Sequence, residues 1–331
     1  MIKTLFIGFS VTEMPSSYIP RLQWLASARQ LDIEIDKCGI GGITTQALPY
    51  MINRILSNQA DAERVVYEVS TSYVRSVYST HLDFTRSYYM EIWSHIEQLI
   101  LCARIHGKDV AFVNLPRADV DYSDDSLEKI ITQVCALYGV PVLSVSMELV
   151  LAGVPIDRIL NDEVHPNAIG VEIYAEKILN FIEKLGPAKQ SKYTCLSSRI
   201  RFDSLRFADY STTNQRRFDR HGFSEEAANI REGETIVLNL PENTQIDGFS
   251  VLCGPKSGTL VVETDAVREF VCYDKFCYYE RMMTAVDSLG QTNRVSVHLL
   301  PVLPNIPLIK GESDLGPREM GLLYLFVKRS L

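Results

Sequence analysis

The sequence predicts two domains of different class. Residues 1–185 read as an α/β domain, a parallel sheet flanked by helices, and residues 195–331 as an all-β sandwich of jelly-roll type, with a linker at 186–194. Three observations carry this. At 331 residues the chain is about twice a typical domain length, so each half can bury its own core. Up to residue 184, short apolar runs alternate with stretches of helical period, the signature of strands joined by crossover helices. Beyond residue 194 the helical period gives way to short β-branched or aromatic runs separated by Gly, Pro, Asn and Asp.

The elements follow in order. An apolar run from residue 2 ends at Gly8, two positions before Ser10, and reads as a buried strand stopping at a tight turn. Residues 18–30 carry Ile19, Leu22, Leu25 and Ala26 on one helical stripe. A short strand over 31–36 runs into the cluster Gly39, Gly41 and Gly42. Residues 45–56 predict a helix, 64–69 a buried strand, 84–105 a long aromatic-rich helix and 108–115 another strand. Ser126 suits the cap of a helix over 127–137, with Glu128 in its first turn. A fifth strand is expected over 141–145. The last helix, 168–184, gathers Val171, Tyr174, Ala175, Ile178, Leu179 and Ile182 on one face. The polar stretch from Gly186 to Lys192, with its Pro, marks the linker. In the second half, runs at 235–240, 248–253, 258–263, 268–273, 294–300 and 321–327 predict seven or eight strands, with no internal repeat.

Composition narrows the partners. A net charge of −8 argues against a phosphate backbone as ligand, since nucleic-acid binders carry a basic excess. Seven cysteines, an odd number in mostly apolar surroundings, fit reduced thiols better than a disulfide framework. The first apolar run is broken by Gly8 and Ser10, unlike a signal peptide, and no apolar stretch is long enough to span a membrane. A cytoplasmic location is the expectation.

Two stretches carry chemistry. Ser10, lifted above the carboxyl edge of the predicted sheet, is a candidate nucleophile, because open α/β sheets bind ligands at that edge. Far downstream, Asn161-Asp162-Glu163-Val164-His165-Pro166-Asn167 offers a carboxylate and an imidazole three residues apart. A serine hydroxyl is a poor nucleophile without an adjacent base, and that base needs an orienting acceptor. His165 would take the Ser10 proton, and Asp162 would hold the other ring nitrogen.

Gly8-Phe9-Ser10-Val11-Thr12, the glycines of 39–42 and Asp162-Glu163-Val164-His165-Pro166-Asn167 together resemble the SGNH/GDSL hydrolase superfamily, whose blocks occur in this order. The resemblance covers residues 1–184. It implies a flavodoxin-like sheet, a Ser10, Asp162 and His165 triad, and an acyl-enzyme mechanism without a cofactor. It also implies an oxyanion hole from the backbone N–H groups of Ser10 and Gly42, with Ser72 at the place of the family's third-block Asn. The glycines have a second reading, as residues that only permit positive φ in a turn. The chain departs from the family at Ser72, a shorter donor, and at Phe9, where the family usually has Asp. Asn114, at a strand end, reads either as a substitute donor or as a turn former. Arg117 reads as a solvated side chain or as a binder of acidic groups. The histidines and cysteines show no metal spacing, so no metal is expected. Tyr273, Phe276, Tyr278, Tyr279 and Arg281 suit a sandwich core or domain interface first and sugar stacking second.

The expected activity is hydrolysis of an O-acyl ester, with O-acetyl carbohydrate or a polysaccharide precursor as substrate. The alternatives are an O-acyltransferase using the same triad with an acyl donor, or a catalytically degenerate carbohydrate-binding partner.

Overall fold

Strand β1 (Ile2–Gly8) is central to a five-stranded parallel sheet, and its last five residues are buried. The computed structural model describes residues 1–73, 86–122, 126–186, 200–211 and 214–330. The chain divides into two compact units, Met1–Arg199 with Arg220–Phe223, and Ile200–Asp219 with Ser224–Leu331. The expected linker, apart from Gly186, lies outside the described residues.

After β1 come a four-residue helix α1 (Ser10–Glu13), α2 (Tyr18–Ala28) and β2 (Ile33–Gly39). Then follow α3 (Leu48–Asn58), β3 (Arg64–Glu68), α4 (Arg86–Ile105) and β4 (Asp109–Asn114). The unit continues through α5 (Ser126–Leu137), β5 (Val142–Ser144), α6 (Val145–Leu151) and α7 (Ala168–Lys184). The strand order β2-β1-β3-β4-β5 is the flavodoxin-like order expected. All pairings in this sheet are parallel, so every strand ends at the same edge.

Both faces are covered, which is why β3 is buried at all five positions and reads as a continuous apolar run closed by charges. Phe6, Val66, Ala111 and Val113 share one core with Leu22 and Leu25 of α2 and with Tyr174, Ile178 and Ile182 of α7. On the alternate positions, Tyr67 packs on Phe112 and donates its hydroxyl hydrogen to the Leu99 carbonyl of α4. At the amino edge, buried Arg64 pairs with Asp109 and donates to the carbonyls of Leu185 and Gly186, tying down the end of α7.

The second unit holds β6 (Ile200–Arg206), β7 (Gln215–Arg220), β8 (Phe223–Arg231) and β9 (Thr235–Cys253). It continues with β10 (Thr259–Glu263), β11 (Val267–Val271), β12 (Arg281–Leu299) and β13 (Glu319–Ser330). The all-β class is as expected, but these strands form one hydrogen-bonded antiparallel sheet in the order β11-β10-β12-β9-β13-β8-β7, with β6 also pairing β13. The runs at 235–240 and 248–253 are two halves of β9, and both contribute to a single apolar interior, Leu238 with Val251 among it. The sheet therefore folds over its own core. Its edge strand β11 is short, with Val267 and Val271 exposed.

Among the described residues six cysteines are free and buried; Cys195 lies outside them. No described helix is long and apolar enough to cross a membrane, and no described group of three or more His, Cys, Asp or Glu is arranged to hold a metal.

Candidate active site

The sheet order reverses between β1 and β3, the switch point at which open α/β sheets form their ligand crevice. Ser10 follows β1 directly and opens α1, so its N–H donates to no carbonyl of that helix. The helix is short and is held from below. Lys37 of β2 donates through Nζ to the carbonyls of Glu13 (2.7 Å), Thr12 (3.2 Å) and Met14 (3.3 Å), capping the helix end with a cation. Burial lowers the Lys37 pKa, and the Glu13 charge opposes that shift.

The glycine cluster has two physical causes rather than one. Gly42 has φ +89, a left-handed conformation that favours glycine. Gly39 and Gly41 are needed for space instead: a methyl group would stand 2.4 Å from Glu13 Cα at the first and 2.1 Å from Glu13 Oε2 at the second.

The acid and base sit on one closed loop. Leu160 bridges Pro166, and the Asn161 N–H donates to the His165 carbonyl at 2.8 Å. Asn167 caps α7, its Oδ1 accepting from the N–H groups of Ile169 and Gly170 at 2.9 and 3.1 Å. Gly170 lets the helix approach the preceding turn, since a methyl group there would lie 2.2 Å from the Ile159 carbonyl oxygen.

Within the loop, Asp162 Oδ2 is 2.8 Å from His165 Nδ1, and His165 Nε2 is 2.9 Å from Ser10 Oγ. Ser10 and His165 lie 155 positions apart in sequence. With the ring proton on Nδ1, Nε2 accepts from the serine hydroxyl. Asp162 is 56% exposed, so its charge is held by donors rather than by enclosure. Burial pushes its pKa up, but the amides of His165 and Val164 and the imidazole outweigh that and keep it lowered.

The remaining sequence-predicted residues fall at the same edge. Gly42 follows β2, and Ser72 ends a 3-10 turn (Ser70–Ser72) after β3, so the loops flanking Ser10 on both sides carry them. Cross-ties fix those loops. Thr45 Oγ1 donates to the Val69 carbonyl (2.7 Å), Ser70 Oγ both accepts from and donates to the Leu115 backbone, and the Ala118 N–H donates to Glu163 (2.8 Å). Asn114 is not the turn former that a strand end suggests. It is fully buried, and its side-chain amide has no hydrogen-bond partner among the described residues. Arg117 is not a solvated arginine either: it is buried, bidentate on Asp119 (2.9 and 2.8 Å), and also donates to the Thr71 carbonyl. In the second unit the aromatic stretch splits, Tyr273 entering the core while Phe276 and Tyr279 are exposed.

Sequence reasoning missed Lys37, Glu13 and Glu68. Glu13 and Glu68 are charged residues that end an element, the one signal available for them, and Lys37 lies inside β2, where its charge interrupts the strand's pattern.

No family model matches the chain, and no curated protein matches it. Among solved structures, similarity is found to the acetyl xylan esterase AlAXEase, at 18% identity and a TM-score of 0.45, over 55% of this chain and 100% of that one. Axe2, an acetylxylan esterase from Geobacillus stearothermophilus, gives 19% identity and 0.45 over 57% and 96%. A lipase/acylhydrolase from Enterococcus faecalis gives 18% and 0.42 over 57% and 100%.

Proposed function

We propose that this chain is a serine ester hydrolase of the SGNH type that removes acyl groups, O-acetyl above all, from a carbohydrate. The observation that carries the reading is the continuous run of hydrogen bonds from Asp162 through His165 to Ser10 at the carboxyl edge of the sheet. In the first half-reaction Ser10 Oγ attacks the ester carbonyl while its proton passes to His165 Nε2. The N–H groups of Ser10 and Gly42 and the Ser72 hydroxyl receive the developing oxyanion, each well-placed donor contributing about 3–4 kcal/mol. His165 then protonates the leaving sugar hydroxyl as the C–O bond breaks. In the second half, water adds to the acyl-enzyme by the same route and releases the acid and free Ser10.

Support for a carbohydrate comes from the second unit. There a cleft of about 710 Å³ is lined by Thr244, Gln245, Asp247, Ser288, Gln291 and Lys328, hydroxyl, amide and charged groups of the kind that hydrogen-bond sugar hydroxyls.

Hydrolysis of p-nitrophenyl acetate and of acetylated oligosaccharides by the wild type and by Ser10→Ala tests the reading, alongside labelling with a fluorophosphonate. Loss of both hydrolysis and labelling in the variant is expected. Equal rates in the two proteins would overturn it, and labelling without hydrolysis would redirect it to transfer of the acyl group onto a sugar acceptor.

A further inference from the structure

Beneath the Ser10 turn lies a carboxylate that the reaction above does not use. Glu68 closes β3, the strand beside β1, and its side chain is fully buried. One oxygen, Oε1, accepts from the Thr71 N–H (3.2 Å) and the Thr71 hydroxyl (2.9 Å), and so belongs to the turn after β3. The other, Oε2, faces the turn after β1. A methyl group on Gly8 would stand 3.1 Å from it and 2.3 Å from Thr12 Oγ1. The Phe9 amide and Thr12 hydroxyl are near enough to favour the charged form, yet no donor reaches Oε2 with good hydrogen-bond geometry. Thr12 Oγ1 is in turn 3.1 Å from the Tyr18 hydroxyl, inside the core of α2.

No cation pairs with Glu68 among the described residues, and burying an unpaired carboxyl is costly, whereas a leucine there would carry no such cost. We propose that Glu68 is a positioning residue of the Ser10 centre, its buried carboxyl group hydrogen-bonded to the turn that carries Ser72 and packing through Oε2 against the turn that carries Ser10. The inference rests on Ser10 being the nucleophile. The carboxyl group sits at the switch point, where a small shift of the β1 turn would move Oγ out of reach of His165 Nε2. Such a shift slows the chemical step and leaves binding of the ester little changed.

The test compares the wild type with Glu68→Leu, Glu68→Gln and Thr71→Val in p-nitrophenyl acetate kinetics, fluorophosphonate labelling rate and amide hydrogen exchange over residues 9–13. In Glu68→Leu, kcat and the labelling rate per folded molecule should fall at least about tenfold, with KM within about twofold, and the 9–13 amides should exchange at least about tenfold faster. Glu68→Gln keeps one carbonyl acceptor and should fall between. A side chain that only supported the fold would lower thermal stability without moving the labelling rate per folded molecule. Wild-type kcat, labelling and protection in Glu68→Leu would overturn the proposal. Should that variant not fold, the same wild-type values in both Glu68→Gln and Thr71→Val would overturn it. A wild type inert to ester and probe would instead remove the function proposed above, and amide protection alone would then decide whether Glu68 positions the turn.

Discussion

Asp162 meets His165 twice, accepting the backbone N–H on Oδ1 at 2.9 Å and facing ring Nδ1 with Oδ2 at 2.8 Å. The backbone contact fixes where the residue stands, and the ring contact fixes which nitrogen carries the proton. The Val164 amide, also on Oδ1 at 2.9 Å, completes a carboxylate that cannot rotate without losing three partners. A half-exposed acid is thereby as well oriented as a buried one.

Asp162→Asn should lower kcat by about 10⁴-fold while leaving the fold intact, because an amide can turn its NH₂ to Nδ1 and reverse the ring tautomer. Steady-state kinetics with a circular dichroism control checks this, and a loss of under tenfold would remove Asp162 from the relay. Since the donors hold the Asp162 pKa low, its contribution to stability is present above the ordinary carboxylate range and is lost only as pH falls through the lowered value.

Ser72→Ala tests the weakest part of the oxyanion site. If the hydroxyl donates to the developing charge, kcat should drop by about 10²-fold with KM little changed. A rate equal to wild type would leave Ser10 and Gly42 as the donors.

Asn167→Ala removes a cap that serves two amides of α7 and should cost about 1 kcal/mol. Gly170→Ala is expected to be worse, about 1–3 kcal/mol, because the new methyl meets backbone rather than a movable side chain. Ile159 also accepts the Asn167 N–H at the foot of the Asp-His loop, so this variant should lose activity as well as melting temperature. Thermal unfolding and ester hydrolysis measured together would show both.

Glu68 should make stability fall with rising pH. Burial pushes its pKa up to about 7, against the donors of Thr71, Phe9 and Thr12. A group whose folded pKa lies above its unfolded one binds more protons in the fold. Its favourable term is therefore full below the ordinary carboxylate range and is lost as pH rises to about 7, on the order of 3 kcal/mol in all. Denaturant unfolding from pH 4.5 to 8 should show that slope in the wild type and lose it in Glu68→Gln; parallel curves would refute it.

Much of the first unit was legible because parallel strands are buried on both faces and read as plain apolar runs, as Arg64–Glu68 does between its charges. Ser10, Asp162 and His165 were legible because each sits beside a boundary signal, a strand-ending glycine or a helix cap. Helices α1 and α6 are too short to show a period. Strand β7 reads Gln-Arg-Arg-Phe-Asp-Arg, a single apolar residue, and owes its form to its place in the sheet rather than to its own pattern. Of the two long strands, β9 reads as two runs that break before Gly248, and β12 shows only its last part, 294–300, as a run. Gly248 and Gly290 have positive φ beside a shift of register, and a methyl on Gly248 would strike the Ala285 carbonyl at 2.0 Å. The sequence leaves Arg117 open between a solvated side chain and a binder of acidic groups, because nothing in a linear string shows that Asp119 folds back to meet it.

The brevity of β11 bears on how the protein behaves at high concentration. An outermost strand offers unsatisfied amides and carbonyls to any neighbouring molecule, and here it also shows two bare valines. Arg268 and Glu269 stand between them, the arginine anchored 2.8 Å from Asp287, so a copy stacking on this edge in parallel register would bring like charges together. Neutralising Arg268 and Glu269 together should raise the tendency of this edge to self-associate on concentration, as light scattering would show.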